Sequence, residues 1–102
     1  MSTSGSSAFH AFEHDGWERA ATVYADDAGG FVSVTAQAAE PLLDAAGVRA
    51  GERVLDLATG PGHVAAAAAR RGAVVTGVDF AAAMVAIARQ RHAGVPDLDF
   101  VE

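Results

Sequence analysis

Four residues in the middle of the chain have the types and spacing that chemistry needs: Asp56, Gly60, Gly62 and Asp79. Gly60 and Gly62 let a backbone turn tightly and approach a ligand closely, because neither carries a Cβ. Asp79 lies 19 positions beyond Gly60, the spacing at which a carboxylate beyond the next strand meets a ribose hydroxyl. Asp56 places a second acid four positions before Gly60. A strand, a glycine turn and a helix N-terminus together make a site for a nucleotide or a carboxylate.

The elements that must position these residues are legible around them. Val54, Leu55, Leu57 and Ala58 form an apolar run too continuous for a half-exposed strand, which predicts a parallel strand buried on both faces. His63 to Arg71 is nearly all alanine and arginine and predicts a helix, with Gly72 placed as a left-handed C-cap. Ala73 to Val78 reads as a second, β-branched strand that delivers Asp79 at its end. The unit from Arg53 to Asp79 is therefore a complete βαβ, with a right-handed crossover expected. Ala81 to His92 predicts the next helix, burying Met84, Ile87 and Ala88, and Leu98 to Val101 begins a third strand. Within this context Gly60-x-Gly62-x-x-Ala65 satisfies a dinucleotide fingerprint and points to an adenosine-containing cofactor.

The residues before the glycine turn read as support. Residues 1–15 are expected to be a disordered or weakly ordered tail, since serine and glycine without apolar partners do not offset the ordering entropy. Residues 16–47 are expected to be helical. Gly16 to Ala25 carries Trp17, Ala20, Ala21, Val23 and Tyr24 on one face, residues 26–30 break as a loop, and Ser33 to Ala46 follows. Pro41 predicts a kink, or a new helix starting near Glu40. Trp17 and Tyr24 serve either as core or as part of a lid over the pocket. His10-Ala11-Phe12-Glu13-His14 matches the inverted zinc-peptidase pattern, but lacks an identifiable third ligand and lies beside the tail. No metal is expected. His63, opening the glycine-loop helix, is expected to be a solvated helix end, where a cation opposes the dipole.

Composition narrows the class. With 102 residues, 51% hydrophobic, the chain buries one modest core. Thirteen acidic against seven basic side chains give a net charge of −6, which argues against nucleic acid as an electrostatic partner. The absence of cysteine removes disulfides and thiolate metal sites and fits a reducing compartment. No run approaches the roughly 20 apolar residues that cross a bilayer, and residues 1–7 lack the features of a secretory signal. A cytoplasmic location without membrane contact is expected.

Val54-Leu55-Asp56-Leu57-Ala58-Thr59-Gly60-Pro61-Gly62 resembles the first motif of class I S-adenosylmethionine-dependent methyltransferases. Val78-Asp79-Phe80, followed by Met84 and Ala88, resembles that family's second motif, and the likeness runs from about Trp17 to Glu102, closest to the small-molecule branch. The resemblance implies an α/β fold with a Rossmann-like parallel sheet, here incomplete, with residues 16–47 as a lid segment. Residues 48–102 would form the N-terminal half of the cofactor-binding domain. It implies S-adenosylmethionine as cofactor, with Asp56 holding the amino end of the methionine moiety directly or through water. The backbone of Ala58, Thr59, Gly60, Pro61 and Gly62 would pass the methionine and ribose, Asp79 would accept both ribose hydroxyls, and Phe80 and Met84 would pack near the adenine.

The implied activity is methyl transfer to a small-molecule acceptor, with no catalytic base identified. Rival readings are a fragment of a nicotinamide-dependent oxidoreductase and a non-catalytic nucleotide-binding remnant. Two departures from the family pattern stand out: Ala58 where many members have glycine, and Ala81 where many have serine. A lost N-cap costs about 0.5–2 kcal/mol. The family sheet has seven strands, so two strands and a stub leave an open apolar edge. Truncation, a partial sequence, self-association or a completing chain would each account for that edge.

Overall fold

The computed structural model describes the backbone of residues 4–26 and 31–102 and the side chains of residues 7–21 and 36–102. The elements run α1 (Ser4–Asp26), α2 (Phe31–Ala46), β1 (Arg53–Leu57), α3 (His63–Arg70), β2 (Val74–Val78), α4 (Ala82–Arg91) and β3 (Leu98–Val101). Residues 27–30, where a loop is expected, lie outside the described residues, as does the Tyr24 side chain. Among the described residues no helix is long and apolar enough to cross a membrane.

The three strands form one parallel sheet in the order β1-β2-β3. Val54 pairs in register with Val75 and Asp56 with Gly77, while Val75 pairs with Leu98 and Gly77 with Phe100. This alternate set faces the helices. Ala39 and Leu43 of α2, the alanines of α3, and Val85 and Ala88 of α4 close over Val75 and Phe100 as the core. All five alanines from Ala65 to Ala69 are buried, because a side chain of one carbon lets the helix lie close to both the sheet and α2.

Three expectations are corrected. The strand β1 is not buried on both faces: Leu55 is 62% and Leu57 70% exposed, because α2, α3 and α4 all pack on the face carrying Val54. Helix α1 begins at Ser4 rather than near Gly16, so the stretch expected to be tail is helical from there on, and His10 to His14 lie on a helix. Of the two alternatives at Pro41, a kink or a new helix near Glu40, the second falls, since α2 runs through Pro41 as one helix. It is anchored there by the Arg71 guanidinium, which donates to the Glu40 carbonyl at 3.2 Å and to the Asp44 carboxylate at 2.7 Å.

The helix ends follow their stop signals. At Gly47, with φ 70°, the Val48 amide returns to the Leu43 carbonyl at 3.1 Å and the Gly47 amide to Asp44 at 3.1 Å, the pair of bonds of a Schellman cap. Helix α4 starts without one: Ala81 occupies the N-cap position with no side-chain hydrogen bond of its own.

Candidate functional site

The turn between β1 and α3 is built from left-handed residues. Ala58, Gly60 and Gly62 have φ of 57°, 56° and 86°. Only glycine adopts such angles without cost, so Ala58 is strained where its two neighbours are not. The Thr59 amide donates to the Val78 carbonyl at 2.8 Å, and the Thr59 hydroxyl donates to the Asp56 carboxylate at 2.8 Å.

Asp79, 7% exposed, ties that turn to the next helix. One of its oxygens accepts the Gly60 amide at 2.9 Å and the other accepts the Ala81 amide at 3.0 Å. Each oxygen keeps a second lone pair for a ligand hydroxyl. The 19-residue spacing read from the sequence is thus also the span of a direct backbone-to-carboxylate bond.

A cavity of about 370 Å³ opens here, within the range of small-molecule sites. Of the predicted site residues, Asp56, Ala58, Thr59, Gly60 and Pro61 line it from the β1 side, and Asp79, Phe80 and Met84 from the β2 side. Gly62 does not line it; a Cβ there would stand 2.5 Å from the Phe100 ring, so its bareness serves packing. Three lining residues lie outside the predicted set: Trp17, His63 and Val64. Trp17 reaches the wall from α1.

Two carboxylates, Asp56 and Asp79, line the site. Burial pushes the Asp56 carboxyl above the ordinary carboxylate value, opposed by the Thr59 hydroxyl and the Ala65 amide, with a smaller upward push from Asp79. His63 is not the solvated helix end that its position suggests. Its Nε2 is buried without a hydrogen-bond partner, and burial, then Arg91 and Arg70, lower its pKa. Its ring stands edge-on to His92 at 5.6 Å.

His92 donates from Nε2 to the Pro61 carbonyl at 3.1 Å, clasping the glycine turn from the far end of α4. Burial and the neighbouring His63 lower its pKa in turn. Residues 29 positions apart carried no sequence signal for this pairing. The His10 and His14 rings meet Phe80 edge-on at 5.7 and 5.6 Å, and the His14 nitrogens also face Asp15 and Glu18 at 3.5 and 3.6 Å. Among the described residues no group of three or more potential ligands could hold a metal ion.

Parts of the chain are similar to known proteins in sequence and fold. Residues 54–102 match the family model of a methyltransferase domain. A demethylmenaquinone methyltransferase of Beutenbergia cavernae is 51% identical over 59 residues, covering 58% of this chain and 23% of the relative. The chain thus spans about a quarter of the length of that curated relative. A methyltransferase from Geobacter sulfurreducens, solved with S-adenosyl-L-homocysteine, superposes with a TM-score of 0.55 at 27% identity over 65% of this chain and 28% of that one. A solved structure from Methanococcus maripaludis reaches 0.66 over 83% of this chain and 41% of that one, at 23% identity, a likeness of fold alone. The segment that carries the glycine turn, its two carboxylates and most of the parallel sheet is thus similar to methyltransferase domains, one of them solved with S-adenosyl-L-homocysteine.

Proposed function

We propose that the cavity between the glycine turn and the start of α4 binds S-adenosylmethionine, and that the protein transfers its methyl group to a small-molecule acceptor. The observation that carries this reading is the convergence of both motifs on one cavity: Asp56 and Thr59 on one wall, Asp79, Phe80 and Met84 on the other. The cofactor supplies an electrophilic methyl on a sulfonium. The residues supply position, and in-line displacements gain much of their rate from position.

The donor set fits each part of such a ligand. Asp56, part-buried and already accepting from Thr59, has lone pairs left for an ammonium. Asp79 meets a diol with its two remaining lone pairs. Phe80, 38% exposed, and Met84, 2% exposed, offer a flat and a flexible apolar surface to a purine. The left-handed turn brings bare backbone to the ligand's middle. The relationship to a demethylmenaquinone methyltransferase supports a small organic acceptor.

Calorimetric titration with S-adenosylhomocysteine, with NADH in parallel, tests the reading. Asp79→Asn is the informative variant, because it keeps one oxygen acceptor for the turn while weakening the grip on a diol. Saturable binding of the homocysteine conjugate, weakened about tenfold in the variant, is expected. A folded chain that binds NADH alone, or binds neither, overturns the reading.

A further inference from the structure

Helix α4 begins directly after the Asp79-Phe80 motif and has no cap of its own, since Ala81 offers no side-chain acceptor. The missing acceptor comes from elsewhere. The Glu18 carboxylate, on α1, accepts the Ala83 amide at 3.2 Å through one oxygen and 3.3 Å through the other. Asp79 accepts the Ala81 amide two residues earlier at 3.0 Å. Two carboxylates from distant parts of the chain therefore grip the same turn, one from the cavity wall and one from α1.

Trp17 is the neighbour of Glu18 and lines the cavity. Around this joint Ala21 packs against Ala81 and Met84, and His14 Nε2 lies 3.6 Å from Glu18 Oε1, the oxygen that accepts the shorter of the two Ala83 contacts. We propose that Glu18 is a positioning residue for the cavity, holding α1, and with it Trp17, against the bound ligand by capping α4. The inference rests on the cofactor reading above for the identity of that ligand, but not for the cap itself. Its consequence is coupling: a ligand that contacts Trp17 and Phe80 tightens the same joint that Glu18 closes, and release of the cap loosens the wall on which the ligand leans.

Trp17 is the one tryptophan of the chain, so its fluorescence reports the joint without a label. The full chain is compared with Glu18→Ala and with Glu18→Gln, which retains one oxygen to accept the Ala83 amide. Acrylamide quenching of Trp17 without ligand is expected to rise in the alanine variant and return to the parental value in the glutamine variant. S-adenosylhomocysteine affinity is expected to fall about fivefold in the first, as for a lost cap, and to recover in the second. Unchanged quenching in Glu18→Ala overturns the proposal. So does a fall in melting temperature with quenching and affinity both unmoved, which would make Glu18 merely structural, and so does a glutamine variant that behaves like alanine. If the parent chain binds no S-adenosylhomocysteine, the cofactor reading falls and the quenching series alone decides the cap.

Discussion

The ring of Phe100 fills the space that a side chain on Gly77 would need: a Cβ built there stands 2.7 Å from one ring carbon and 2.8 Å from the Thr59 hydroxyl. Gly77 thereby lets β3 and the glycine turn meet over β2, and Gly62 admits the same ring, a Cβ there standing 2.5 Å from it. Gly77→Ala should cost about 1–3 kcal/mol, the range for an overfilled core. Gly62→Ala should cost more, since its φ of 86° adds backbone strain to the clash. Urea denaturation of both variants gives the comparison, and equal midpoints with the parent would refute it.

Ala58 and Gly16 make the converse pair. Ala58 holds a left-handed φ of 57°, whereas Gly16 lies inside α1 with nothing within 4 Å of a Cβ built on it. Ala58→Gly relieves a strain of about 1–2 kcal/mol against an entropic cost of roughly 0.5–1 kcal/mol, for a net gain near 0.5 kcal/mol. Gly16→Ala should stabilise by about 0.5–1 kcal/mol. Thermal unfolding checks both, and a lowered midpoint in either contradicts the assigned backbone.

The histidine pair sets a pH dependence whose sign follows from linkage. His63 and His92 both have folded pKa values below their ordinary 6.5, so below that pH the unfolded chain takes up protons that the folded chain refuses. Their contribution is whole above pH 6.5 and is lost as pH falls toward the lowered values. Asp56, raised above 3.8, works oppositely: its contribution is present at acid pH and lost as pH rises through its folded value. The two histidines act in the same direction below pH 6.5, so the melting temperature should fall as pH is lowered from 7.5 to 5.5. His92→Gln, which keeps a donor for Pro61, should flatten that slope.

Much of this fold can be read from residues 47 to 102 because their punctuation is local. Gly47, Gly72 and the turn at Gly60 each stop or start an element through their own φ, and a single sequence displays such angles as glycine. The features that escaped depend on partners far along the chain. Glu18 finds the Ala83 amide across 65 residues, and His92 finds the Pro61 carbonyl across 31. Neither has a neighbour that announces it. The early start of α1 was hidden for another reason: serine and glycine near its N-terminus weigh against a helix, and propensity is a weak prior that context overrides. The exposure of β1 departs from its apolar run because continuous apolar character records what a strand is suited to, and here the covering helices lie on one side.

That one-sided cover has a thermodynamic meaning. Leu55, Leu57 and Val74 stand exposed at 62, 70 and 47% on the far face of the sheet, and burying a leucine fully is worth about 1.5–3 kcal/mol. Any neighbour that covers them adds its own concentration to the folding equilibrium, so the melting temperature becomes a function of mass action rather than a constant of the chain. A dilution series belongs beside every variant measured above. Midpoints that climb with protein concentration would measure how much free energy the bare face holds in reserve.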